Sequence, residues 1–448
     1  MLISFSPRHF KIAVSAIATL ASFTTFSSFA DDQYVTAKAL GLMEGFPPAI
    51  EKRVDKSNAL FSGPYNRWSY LNMRTIYPTT GIDNADVAIA MPRHLDTAIN
   101  ELRVQKVDEA GKMTEQSVDM NTYFKETYTD AFVVVKGNQI VFEHYDNGMD
   151  ANHPHLMMSV TKSFAGLLGL MAVENGQATE EDKVSSQLPE LKTSGAFKDA
   201  TFGQVLNMTN AMDFSEDYAD PNSGIVQYGI VLGLMEPEEG KTYANSIYEF
   251  LPSLPRDMNH NHGDIFHYQT PKTDVVNWYT NRVTGQSFQK SLSDKLWSKL
   301  GTDGETYVLL DKNGTLFAGG GLNATPTDLA RFATMMLNNG QFNGEQVVAK
   351  SIVDTLAKGG NIDAFSNGTE AHGPMANGDW SYRAQWWVRH TAGKESFNAI
   401  GVHGQWIYID RERNIAIIKQ SSQPVSANDY FDGYNINAFD AIIDHLSQ

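Results

Sequence analysis

The sequence predicts an α/β chain of the α+β kind. One antiparallel sheet, flanked by terminal helices, is assembled from distant segments and stands beside an all-helical lobe. Three observations lead there. Ala131–Lys136 (AFVVVK) and Gln139–Tyr145 (QIVFEHY) are apolar runs joined by Gly137-Asn138, a tight hairpin. Near the other end AQWWVRH, GVHGQWIYID and NIAIIKQSS are again rich in β-branched and aromatic residues, with Arg411-Glu412-Arg413-Asn414 as the turn between the last two. Between these, apolar residues recur at helical spacing in FGQVLNMT, IVQYGIVLGLM, SIYEFLPSL, TDVVNWYTNRV and FQKSLSDKLWSKL, punctuated by Pro221, Pro237, Pro252 and Pro255.

Residues 1–30 stand apart. Arg8, His9 and Lys11 precede a weakly apolar run, Ile12–Phe26, and Ser28-Phe29-Ala30 sets small residues before Asp31. That is the pattern of a secretory signal peptide cleaved after Ala30. No second stretch is long enough to span a bilayer. The chain has no cysteine, which excludes disulfides, a thiol nucleophile and cysteine-ligated metals. An exported chain without disulfides is expected in a bacterial periplasm or secreted from the cell. The formal net charge of −17 argues against nucleic acid or anionic lipid as a partner held by bulk charge.

Residues 31–130 read as an N-terminal extension, irregular and extended, that packs on the domain after it. One helix is expected near Arg93–Val104. The domain proper spans 131–448, with its helical lobe at about 182–300. Gly319-Gly320-Gly321 then opens a loop onto a helix from Thr327 to Asn338, with Thr327 as its N-cap, and an amphipathic helix, Ala438–Leu446, closes the chain.

The chemistry gathers in His155–Val173, HLMMSVTKSFAGLLGLMAV, which holds Ser159 and Lys162 as S-x-x-K before an apolar run with Ala165, Gly166 and Gly169. Three residues is close to one helical turn, so a helix starting near Ser159 stacks the Lys162 amine on the face of the Ser159 hydroxyl. A serine is a poor nucleophile until a neighbour takes its proton, and a lysine can do so once burial lowers its pKa. The alternative for Ser159 is a plain helix N-cap. The motif alone says little, since Ser287 and Lys290 repeat it on what reads as the wet face of a surface helix.

Such a pair needs a proton donor for the leaving group and an oxyanion hole. Tyr268, in FHYQTPKTDVVNWY, suits the first if neighbouring cations stabilise its phenolate, with Thr270 hydrogen-bonding into the same cleft. Its alternative is a tyrosine anchoring that loop. For the second, the Ser159 amide is one donor. Gly401-Val402-His403-Gly404-Gln405, at the head of an edge strand, is the natural source of another, or else a β-bulge.

SVTKSF, the Tyr268-Gln269-Thr270 link, GGGLNATPTDLARFATMML and GVHGQWIYID, in this chain order, resemble the serine β-lactamase-like superfamily from about Ala131 to the C-terminus. The resemblance is closer to the branch with class C β-lactamases, DD-peptidases, family VIII carboxylesterases and 6-aminohexanoate-dimer hydrolases. SEDYADP around Tyr218 and the GVHGQ strand look most like the last group, which cleave a linear amide. The resemblance implies a β-lactamase/transpeptidase-like fold. It also implies Ser159 as acylated nucleophile, Lys162 as general base, Tyr268 as proton shuttle and Tyr218 as a substrate contact. Val402 would be the second oxyanion donor, with His403 or Gln405 as alternatives in register. Gln269-Thr270 departs from the usual Y-x-N, and neither Lys-Thr-Gly nor Ser-Asp-Asn occurs. Antibiotic hydrolysis therefore loses ground to ester or simple amide hydrolysis.

The expectation is an exported serine hydrolase acting on a small-molecule amide or ester, with no cofactor and no metal. Alternatives within its class are a carboxylesterase and a β-lactamase or DD-peptidase. Outside it stands a non-catalytic cell-wall or peptide binding protein. His260, His262, Asp264 and His267 offer metal-ligand types at no recognised spacing. Trp380, Trp386, Trp387 and Trp406 read as core.

Overall fold

The structure, a computed structural model, describes residues 34–61, 63–218 and 220–448, and the expected signal peptide lies outside the described residues. Thr129–Lys136 (β1) and Gln139–Tyr145 (β2) pair antiparallel around Gly137, whose φ of 61° suits a residue without a side chain. Five later strands join them: Trp380–Arg383 (β3), Trp386–Arg389 (β4), Ser396–Gly401 (β5), Gln405–Asp410 (β6) and Ile415–Ser421 (β7). The order across the sheet is β3-β4-β5-β6-β7-β1-β2, every pair antiparallel.

Both faces of this sheet are covered, which is why its strands read as continuous apolar runs. Val133 and Val135 of β1, Ile407 and Ile409 of β6, and Ala416 and Ile418 of β7 enter one core. Val160–Glu174 (α1), Pro271–Thr284 (α2) and Pro326–Leu337 (α3) supply that core with Phe164, Val276 and Phe332 among others. The alternate residues, Phe132 and Val134, Trp406 and Tyr408, Ile415 and Ile417, enter a second core with Phe439, Ile442 and Ile443 of Asp429–Leu446 (α4). A slip of one residue in pairing would exchange the two sets, so register is strongly fixed. Trp380, Trp386 and Trp406 are interior residues of this sandwich.

The helical segments between 184 and 295 are short apart from α2: Val184–Gln187, Phe202–Leu206, Gly224–Leu232, Ile247–Phe250 and Phe288–Lys295. In the last of these, Lys290 reaches Asp294 at 2.7 Å on an exposed face, so the second S-x-x-K holds an ordinary surface pair.

Three boundaries differ from the sequence reading. In place of a helix near 93–104, a 3-10 turn, Thr97–Glu101, leads into strand Arg103–Val107, which pairs with Met113–Asp119. Asp96 caps only this turn, through Ala98 N at 3.0 Å, and Val104 and Val107 are buried as strand residues. The N-cap of α3 is Thr325, because Pro326 takes the first helical position and Thr327 turns its hydroxyl to the Ala151 carbonyl. Finally, α4 begins at Asp429, where Asn428 accepts from Tyr430 N and acidic residues fill the first turn.

Residues 35–448 form one compact unit. Arg67 and Asp130, both buried, meet at 2.8 Å, and Asp130 continues to His155 at 3.1 Å. The early segment is thereby tied to β1 and to the chain just ahead of Ser159.

Candidate active site

The chain leaves a two-residue strand, His155–Leu156, and swings through Met158, at a φ of 47°, into α1. Ser159 occupies the N-cap position, but its own dihedrals, φ −67° and ψ −8°, are helical and its hydroxyl caps nothing. Instead the hydroxyl accepts a 2.8 Å hydrogen bond from Lys162 Nζ, one turn along. The plain-cap alternative is thus set aside by geometry. Lys162 Nζ also donates to the Gly319 carbonyl at 2.6 Å. With its side chain 1% exposed, burial pulls the amine down to about 8, although Glu216 and Asp274 pull the other way.

Tyr268 is brought to the same place. Its ring centroid lies 5.0 Å from Lys162 Nζ, and its hydroxyl is near enough to Ser159 for the serine hydroxyl to act on the phenol. Trp387 packs on its ring at 5.4 Å. The expected cation-stabilised phenolate is not what forms: burial first, and the Glu216 charge after it, push the phenol well above its ordinary value. That direction favours the neutral phenol at Tyr268. Gln269, next in the chain, locks this link by donating to the carbonyls of Met212 (3.0 Å) and Phe214 (2.7 Å).

Two carboxylates that the sequence reading passed over stand behind these groups. Glu216 accepts from Thr270 N at 2.8 Å, from the Thr270 hydroxyl and from the Tyr218 hydroxyl at 3.1 Å. Thr270 therefore bonds backwards to Glu216 rather than into the cleft. Asp274, 2% exposed on α2, accepts from Tyr228 at 2.8 Å and from Ala318 N at 2.9 Å. Burial raises it to about 7. It fixes the loop whose Gly319 carbonyl holds Lys162. An aspartate inside the apolar pattern TDVVNWY was the available signal for it, and the SEDYADP run for Glu216.

Gly401 to Gln405 lies within the sheet and not at its edge: Gly401 ends β5, Gln405 starts β6, and Val402-His403-Gly404 is the turn between them. A side chain at position 401 would meet Met157 O at 2.6 Å and Ser159 N at 3.0 Å, so glycine is required there for this turn to lie against the start of α1. The N–H groups of Ser159 and Val402 have no acceptor among the described residues, and Val402 lines the cleft with Ser159. His403 and Gln405 do not reach the cleft. His403 is wholly buried, its Nδ1 at 2.7 Å from the Gln423 carbonyl, and burial lowers it to about 4. Gln405 donates to Ser421 O at 2.6 Å and to His403 O at 3.2 Å, pinning the turn from inside. The two residues named as alternatives to Val402 thus hold the turn that presents it.

The cleft runs from Ser159 and Lys162 past Tyr218 and Val402 between apolar walls that include Leu60 and Phe61 from the early segment. Tyr218 packs on Phe61 with centroids 5.3 Å apart. Elsewhere, His260 pairs with Asp257 at 2.6 Å and His262 accepts from Ala211 N, and no group of three or more metal-ligating side chains occurs among the described residues.

Comparison with known proteins places the chain in a family. The beta-lactamase family matches residues 123–440. A 6-aminohexanoate-dimer hydrolase of Paenarthrobacter ureafaciens is 31% identical over 363 residues, 81% of this chain and 86% of that protein. A Bacillus anthracis structure provisionally described as a 6-aminohexanoate-dimer hydrolase superposes with a TM-score of 0.77 at 28% identity, covering 90% of this chain and 99% of that one. A penicillin-binding protein homologue from Caulobacter crescentus shares the fold at a TM-score of 0.53 and 13% identity, over 72% of this chain and 96% of its own.

Proposed function

The chain belongs to the beta-lactamase family of hydrolases, and on that premise we propose that it cleaves an amide or ester bond through an acyl-enzyme on Ser159. The observation that carries this reading is the 2.8 Å contact between Lys162 Nζ and Ser159 Oγ, inside a site where the amine is lowered to about 8. In its neutral form Lys162 keeps one N–H on the Gly319 carbonyl and turns its lone pair to the serine proton. Ser159 Oγ then adds to the substrate carbonyl, whose oxygen settles between the Ser159 and Val402 amides. Tyr268, a neutral phenol beside Ser159, protonates the departing amine or alcohol and regains its proton from Lys162. Lys162 is then free to take a proton from the water that adds to the acyl carbonyl; Ser159 leaves with that proton and the acid is released. Similarity to 6-aminohexanoate-dimer hydrolases favours a linear amide, and a carboxylester fits the same machinery. Residues 1–30 support export to the periplasm or beyond.

Intact-mass measurement of protein from a periplasmic extract, before and after a fluorophosphonate probe, tests the reading. The expected mass begins at Asp31 and gains one adduct, while a folded Ser159→Ala protein gains none. No adduct on folded wild type, together with no ester turnover, would sink the hydrolase reading and leave a binding protein.

A further inference from the structure

We infer that the pocket beside Ser159 takes a neutral, apolar acyl group and rejects an acyl chain that ends in an ammonium. The inference rests on the acyl-enzyme reading above and adds the substrate class. Its walls are Leu60, Phe61, Ile225, Leu232, Leu309 and Phe317, with few polar side chains: Ser159, Lys162, Tyr218 and Thr270. The first two are the reacting pair, at the end where the carbonyl must sit. The hydroxyls of the other two already donate to Glu216. Tyr268, placed to serve the leaving group, is not part of this lining, so the pocket falls to the acyl side.

Among the described lining residues a charged chain end would meet no carboxylate, only hydroxyl oxygens and backbone carbonyls. Glu216 stands behind Tyr218 and Thr270, outside the lining, and already accepts three hydrogen bonds from them. Asp274 is likewise outside it, engaged by Tyr228 and Ala318. The cation that does reach the pocket, Lys162, repels an ammonium whenever it is protonated. An ion brought into apolar surroundings without a counter-charge in contact loses more hydration than distant carboxylates return, whereas each methylene buried against these walls favours binding about fourfold.

The test compares three p-nitrophenyl esters at pH 7 on the full chain: acetate, hexanoate and 6-aminohexanoate, with Ser159→Ala supplying the background. Hexanoate and 6-aminohexanoate have the same acyl length and leaving group and differ in the terminal ammonium. The expected result is a kcat/KM for hexanoate about tenfold or more above both others. Turnover of 6-aminohexanoate as fast as or faster than hexanoate, with acetate also turned over, overturns the inference and leaves the acyl-enzyme intact. If none of the three exceeds the Ser159→Ala background, the acyl-enzyme reading itself fails and the inference falls with it.

Discussion

An ordinary lysine is neutral in about one molecule in three thousand at pH 7, whereas at about 8, where burial sets Lys162, the share is about one in ten. That difference is what makes a serine–lysine pair workable near neutrality. The sign follows: the base is active when deprotonated, so kcat/KM should rise with pH through about 8 and then level. A pH–rate profile on p-nitrophenyl acetate checks this, and a profile flat from pH 6 to 9 would show that Lys162 is not the base. The sequence disclosed the pair because an S-x-x-K ran straight into an apolar helix. It marked Asp274 only as an acid inside an apolar pattern and Glu216 only as part of an acidic run, because their parts come from the Ala318–Gly319 loop and from Thr270, 44 and 54 residues away in the chain. Nor could it reveal that Tyr268 is buried enough to stay a phenol.

At the scale of elements, α1 is positioned less by its ends than by one face. Ser163 donates to the Gln385 carbonyl at 2.7 Å, Trp386 Nε1 donates to Ser163 O at 3.1 Å, and Gly166 lies so close to the β3–β4 turn that a Cβ would stand 2.0 Å from Ala384 O. Gly166→Ala should therefore force helix and turn apart. The expected cost is about 1–3 kcal/mol in urea denaturation, despite alanine's better helix propensity. A variant as stable as wild type would show that the turn yields freely. The glycines in the apolar run were visible in the sequence, but the surface they face was not. The hairpin at 129–145 and α2 were legible from local pattern. The strands at 103–119 were not, because their alternation is short and largely polar, and the Val402 turn was taken for a strand because its flanks are strands.

Across the whole molecule, the two-faced sheet leaves several charges inside. Lys272 and Lys419 are fully buried, and burial lowers each to about 7. Their unfolded values stay near 10.5, so between about 7 and 10 the unfolded chain binds protons that the folded chain has released, and stability must rise with pH in that window. Each contributes up to about 1.4 kcal/mol per pH unit. The denaturation midpoint should be higher at pH 9 than at pH 7. A flat or falling midpoint would mean that these amines stay charged in the fold.

Leu60 and Phe61 lie ahead of residues 123–440, the span matched to the beta-lactamase family, yet they wall the pocket, and Asn66 a few residues on donates to Gln423 O beside the Val402 turn. Reactivity and selectivity are thereby inherited from different stretches of chain. Substitutions at Leu60 or Phe61 should therefore alter which acyl groups are accepted while leaving Ser159, Lys162 and Tyr268 in place.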